Sequence, residues 1–172
     1  MSIRASITRP SIIDVEASGF GSASYPIEVG VVTGDDDRYC SLVQPAEHWT
    51  HWDDRAQQVH HIERDQLQRH GHCIVEVAGA LNDLLEGKTV YTDGWVVDYP
   101  WLVTLFEAAS MEMAFTVSSL EMILSECQME VWHQTHEEVM RESGMARHRA
   151  SNDAWVIQET WCRTRMAQAG IQ

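Results

Sequence analysis

Lysine is nearly missing from this 172-residue chain: Lys88 stands alone among 12 basic residues, which face 26 acidic ones. The formal net charge of −14 argues against a protein that coats long nucleic acid by releasing counterions from its phosphates. It leaves room for an enzyme that holds a few phosphates through metal ions, because part of the negative charge is then the ligand set. Cysteine is sparse too. Cys40, Cys73, Cys127 and Cys162 are scattered, with no CxxC pair and no disulfide-like framework, which fits a reducing, cytoplasmic compartment. No apolar run approaches the roughly 20 residues that span a bilayer, so no membrane partner is expected. Met1 to Pro10 holds two arginines but no long apolar stretch, so no secretory signal is expected either. Internal repeats and low-complexity linkers are lacking, and residues 1–172 read as one domain with a core of its own.

What is present divides into strands and amphipathic helices. Residues 9–17, Ile27 to Thr33 and Tyr39 to Val43 read as three strands joined by short turns, an antiparallel meander. Trp52 to Arg69 turns helical, with Val59, Ile62 and Leu67 as apolar markers and Gly71 closing it. Residues 73–86 place Ile74, Val77, Ala78, Leu81, Leu84 and Leu85 on one face, with Gly87 as C-cap. Lys88 to Tyr91 is a short strand. A helix then begins near Asp98, with Pro100 in its first turn, and Ala114 to Val117 is a fifth strand. Residues 118–142 are helical, with Leu120, Ile123, Leu124, Val131 and Val139 as the core stripe, and a last helix runs from about Ala146 to Ala169. The economical α/β arrangement is a mixed five-stranded sheet, three antiparallel strands then two parallel, with helices on both faces.

The stretch S-I-I-D-V-E-A-S-G-F, Ser11 to Phe20, carries the first chemical signal. Residues i and i+2 of a strand share a face, so Asp14 and Glu16 present two carboxylates side by side where an apolar strand ends. Like charges this close repel, and partial burial makes each costlier to ionise. A divalent cation between them removes the conflict; an edge strand with a wet face is the plainer explanation, and this stretch alone does not separate the two. Asp98, in W-V-V-D-Y-P-W-L, falls after the fourth strand at a helix start. Asp153 follows His148 by five residues in H-R-A-S-N-D. If that segment starts in a loop, His148 reaches the mouth of a site whose floor holds Asp153.

D-V-E-A-S-G, D-Y-P-W-L and H-R-A-S-N-D, taken in order, resemble the DnaQ-like 3′–5′ exonucleases of the DEDDh type, whose pattern is D-x-E-x-[TS]-G, an aspartate followed by an apolar helix, and H-x(4)-D. V-H-H-I at Val59 to Ile62 is similar to the V-H-G-I segment of that family. The resemblance implies a ribonuclease H-like fold and two-metal hydrolysis of single-stranded or short RNA or DNA to 5′-mononucleotides. It implies that Asp14 bridges two divalent ions, Mg²⁺ or Mn²⁺. Glu16 and Asp153 then hold the ion on the side of the attacking water, and Asp98 helps to hold the other. His148 takes a proton from that water, a task suited to an imidazole with a free pKa near 6.5. Ala17, Ser18, Gly19 and Phe20 line the slot for the 3′-terminal nucleotide, with backbone N–H groups of Ser18 and Gly19 toward the sugar and Phe20 against the base. His60 touches the same nucleotide. Homodimers are common in the family, and the helical C-terminal half offers an interface.

Two departures stand out. The family often has H-N-x-x-F-D where this chain has Asp93-Gly94-Trp95-Val96-Val97-Asp98, and His61 replaces the usual glycine. Rival readings are a proofreading subunit attached to a polymerase, or a catalytically silent domain that binds nucleic acid or acts as a scaffold. His48/His51 and His133/His136 share zinc-like spacing but lack cysteine or acidic partners at ligand spacing, so they read as solvated helix faces. Trp132, Trp155 and Trp161 read as core or interface, while Trp95 and Trp101 are candidates to contact substrate bases. Glu28 reads as paired or exposed, with membership of the acidic site as the lesser alternative, and Asp35 to Asp37 as a solvated turn. Arg147 and Arg149 either meet phosphates or balance the acidic site, and the sequence leaves both open.

Overall fold

Alternation along the first strands decides the architecture. A computed structural model describes residues 8–169; most of the Met1 to Pro10 segment, in which no secretory signal is expected, lies outside the described residues. The strands are β1 (Ser11–Ala17), β2 (Pro26–Val32), β3 (Arg38–Leu42), β4 (Thr89–Thr92) and β5 (Thr116–Ser119). They form one sheet in the order β3-β2-β1-β4-β5. β1, β2 and β3 pair antiparallel, whereas β4 joins β1 and β5 joins β4 in parallel. The mixed sheet of three antiparallel and two parallel strands is the one expected.

The helices are α1 (Asp54–His60), α2 (Arg64–His70), α3 (Ile74–Leu85), α4 (Trp95–Ala109), α5 (Glu126–Ser143) and α6 (Ala150–Ala169). They divide between the faces. Ile13, Val15, Ile27, Val29 and Val31 pack with Val77, Leu81 and Leu85 of α3 and Leu102, Leu105 and Phe106 of α4. Ile12 and Val32 pack instead with Leu120 and with Ala154, Ile157 and Trp161 of α6. Each such side chain, fully buried, contributes roughly 1.5–3 kcal/mol. The pairs Ile12–Val32, Asp14–Gly30 and Glu16–Glu28 stand opposite one another across β1 and β2. Opposed residues share a face, so the surface under α6 turns from apolar to acidic toward the carboxyl end of β1.

Several boundaries differ from the sequence expectation. The helix expected over Trp52 to Arg69 is two helices, because His61 takes a left-handed conformation (φ 57°) and its N–H caps α1 on Gln57. Glu63 and Gln66 then open α2 with a capping box. The histidine in the usual glycine position thus adopts a conformation that glycine takes freely. The turn ends α1 at His60 and leaves Val59 exposed. α4 starts at Trp95, three residues before Asp98, so Pro100 lies in its second turn. Residues 118–142 are not one helix: a 3-10 turn over Leu120–Ile123 precedes α5, whose N-cap is Ser125. The stripe consequently loses Val131, which is exposed. α6 begins at Ala150 rather than Ala146. Among the described residues no helix is long and apolar enough to cross a membrane.

Candidate active site

The strand order reverses between β1 and β4, and open α/β sheets form crevices outside strand carboxyl ends at such switch points. Asp14 and Glu16 occupy that end on the α6 face. β4 runs parallel beside β1 and hands the chain through Asp93 and Gly94 into α4, whose first turn carries Asp98. Asp98 is buried and accepts a hydrogen bond from the Thr92 hydroxyl. From the other side, the bend before α6 delivers His148, and the first turn of α6 delivers Asp153. Glu16, His148 and Asp153 each offer a ligand atom, and these atoms all lie within 4.8 Å of one another. Asp14, Asp93, His136, Arg147, His148 and Asp153 line a cleft of about 170 Å³.

The electrostatics follow from crowding. Burial first, then repulsion from Asp98, Glu16, Asp153 and Asp93, holds the Asp14 carboxyl well above its ordinary range. Glu16 is pushed up to about 7 by burial and by the charges of Asp153, Glu28 and Asp98, with Arg149 opposing. Burial also raises Asp98 to about 7, against the bond from Thr92. Asp153 and Asp93 are raised by burial too. Five desolvated carboxylates, with His136, His148 and Arg147 as the nearby basic groups, suit hard divalent cations with oxygen ligands. The donor set therefore fits the ions that the sequence resemblance implies.

Asp153 reaches this set because α6 approaches β2 closely at Gly30. A Cβ there would lie 2.2 Å from the backbone of Ala150 and Ser151. Glu28, fully buried two residues before Gly30 on the same face, accepts from Arg149 Nη2 at 2.6 Å, from Arg149 Nε at 3.1 and 3.2 Å, and from the Ala150 N–H at 2.8 Å. Arg149 is thereby assigned to structure, whereas Arg147 faces the cleft and forms no ion pair among the described residues. His148 sits between them at φ 57°. Sequence reasoning gave Glu28 little weight and passed over Gly30 and Thr92. The available signal was a glycine inside a buried valine strand, which often marks close backbone approach.

The expected nucleotide slot has mixed fittings. Ala17 and Ser18 are buried. The Ser18 N–H donates to the Tyr25 carbonyl at 2.9 Å, so this group shapes the loop. Its hydroxyl accepts from the Tyr25 N–H at 3.1 Å and lies 3.5 Å from His51 Nδ1. Gly19 is covered by His51, whose Cε1 would be 2.4 Å from a Cβ. Phe20 is 63% exposed. His60 is buried, and its pKa falls to about 4 through desolvation. His60 Nδ1 accepts from the Ile62 N–H at 3.0 Å, and its buried Nε2 has no partner among the described residues. Trp101 is tied to the Ser24 hydroxyl, whereas Trp95 stacks on Tyr99 and stays partly exposed.

Solved structures share this fold. The zinc-bound complex of Escherichia coli exonuclease I with single-stranded DNA superposes with a TM-score of 0.67 at 12% identity, over 93% of this chain and 42% of that one. The same enzyme with a dA16 oligonucleotide gives 0.64 at 11% identity, over 88% and 40%. A moderately thermophilic exonuclease I from Methylocaldum szegediense gives 0.64 at 10%, over 85% and 38%. The chain thus spans about two fifths of these proteins and has their ribonuclease H-like α/β fold. No protein-family model matches the chain, and no curated protein does.

Proposed function

We propose that this protein is a metal-dependent 3′–5′ exonuclease of the DEDDh type, acting on single-stranded or short nucleic acid and releasing 5′-mononucleotides. The observation that carries the reading is the convergence of Asp14, Glu16, Asp98, His148 and Asp153 at one end of a sheet of this fold. Asp14, Glu16, Asp98 and Asp153 hold two divalent cations, Mg²⁺ or Mn²⁺. When bound, the ions neutralise the scissile phosphate and favour ionisation of the attacking water.

The chain's own residues do the rest. His148, on its bend beside Glu16 and Asp153, takes the proton from the attacking water. Arg147, at the mouth of the cleft, meets a substrate phosphate. Phe20 stacks on the terminal base, an interaction worth about 1–3 kcal/mol that tolerates any base. His60, whose buried Nε2 has no hydrogen-bond partner among the described residues, backs the slot for the terminal nucleotide. Strong net negative charge and a single lysine favour short substrates over long duplex.

The test is incubation of end-labelled RNA and DNA oligonucleotides with Mg²⁺ or Mn²⁺, with Asp14→Ala as control. Stepwise shortening from the 3′ end by the wild type alone is expected. Absence of shortening on both sugars refutes the reading.

A further inference from the structure

We propose that Glu28 is a positioning residue that holds His148 and Asp153 in register with Glu16, acting through Arg149 and the first N–H of α6; this rests on the nuclease reading above. The Glu28 side chain is only 1% exposed. A buried carboxylate is costly unless paired and fully hydrogen-bonded, and an apolar pair of similar volume often serves stability equally well. Glu28 meets that requirement with the guanidinium fork of Arg149 and with the Ala150 N–H. That N–H is among those a helix start leaves unpaired, and a carboxylate there also favours the helix dipole. One side chain, rooted in the sheet, therefore grips both sides of the peptide that opens α6.

The grip transmits in both chain directions. His148 precedes Arg149 directly and stands at φ 57°, a conformation that persists in a non-glycine residue where its surroundings over-determine it. Asp153 lies one turn later, and its N–H bonds to the Arg149 carbonyl at 3.0 Å. At the root, Glu28 stands opposite Glu16 across β2 and β1. All three residues of the tight cluster are thus referred to one point. Glu28 accepts four bonds from Arg149 and Ala150, so its part is to orient the cluster rather than to join it.

The test uses Glu28→Gln, which keeps the shape and an acceptor for the Ala150 N–H but removes the ion pair. Arg149 stays solvated because its side chain is 45% exposed. Arg149→Lys is the conservative partner, and Leu81→Val, in the opposite core, is a control for stability loss alone. Mn²⁺ affinity is measured by calorimetry, amide exchange over residues 147–153 by mass spectrometry, and kcat and KM on a short oligonucleotide. Loss of a supporting partner typically lowers metal affinity or activity by about 10–100-fold. That loss in Mn²⁺ affinity and kcat is expected for Glu28→Gln, with KM little changed, faster exchange over the turn, and a smaller loss in Arg149→Lys. Wild-type Mn²⁺ affinity and kcat in Glu28→Gln overturn the proposal. So does an equal loss in Leu81→Val. Wild type that binds Mn²⁺ but shortens no oligonucleotide sinks the nuclease reading alone, and Mn²⁺ affinity then judges the clamp. Wild type that binds no Mn²⁺ overturns both.

Discussion

Replacing Glu16 with glutamine stabilises the metal-free protein at alkaline pH, although it removes a proposed ligand. Burial and the charges of Asp153, Glu28 and Asp98 push the Glu16 pKa from 4.5 to about 7. The native state therefore keeps a proton that the unfolded chain releases between those values. Stability contributed by this group falls as pH rises through the window, and the full cost stands above pH 7. Each pKa unit is worth about 1.4 kcal/mol, so the rise sets a ceiling of about 3 kcal/mol. Partial solvent access lowers the working figure to about 2 kcal/mol. For a chain of this size that is a Tm difference of about 4–8 °C. Glutamine keeps the volume and cannot ionise. The assay is thermal unfolding of wild type and Glu16→Gln in chelator at pH 5 and pH 8. The stability difference between the two proteins should move in favour of the variant at pH 8 by most of that amount, because pH 5 already lies above the unfolded value of 4.5. Taking a difference cancels titrations that Glu16 does not influence, including that of His60, whose lowered pKa gives stability that is lost as pH falls from about 6.5 to about 4; loss of the Glu16 charge also relieves the raised Asp14 carboxyl, which acts in the same direction. Saturating Mn²⁺ should restore the advantage to the wild type. A difference that is the same at both pH values refutes the reasoning.

Three further outcomes are expected. Gly30→Ala sets a methyl against the backbone of Ala150 and Ser151; overpacking costs about 1–3 kcal/mol, and calorimetry should show it while kcat falls further than stability alone explains. His61→Gly relieves a left-handed conformation and should raise stability in urea titration by about 1 kcal/mol or less, after the entropy cost of glycine. Arg147→Ala should raise KM for oligonucleotides with little change in kcat, and should flatten the salt dependence of binding by roughly one phosphate contact.

Much of the fold was legible because its signals are local. Short apolar runs between turn residues marked β1 to β3, and the stripe of Val77, Ala78, Leu81 and Leu85 at helical spacing marked α3. The errors fell where one residue's backbone conformation overrides a pattern. His61 split a helix, and Ser125 restarted one after a 3-10 turn. Neither interruption changes the apolar period on its two sides, so the period could not reveal it. The acidic signals at Asp14, Glu16, Asp98 and Asp153 were visible as motifs, because their residue types and spacings are properties of the chain.

What the sequence determined by itself is which side chains exist and which strand or helix face each occupies. It set the alternation that puts Asp14 and Glu16 opposite Ile13 and Val15, and the distance along the chain from His148 to Asp153. Only the tertiary structure decided between the two arginines, sending Arg149 to Glu28 and leaving Arg147 at the cleft. It also decided that α6 starts at Ala150, leaving His148 on a bend within reach of Glu16. The reason is that these choices depend on packing across more than a hundred residues of chain. Glu28 and Arg149 meet because Gly30 lets a helix lie against a strand, and no local pattern in either segment encodes that approach.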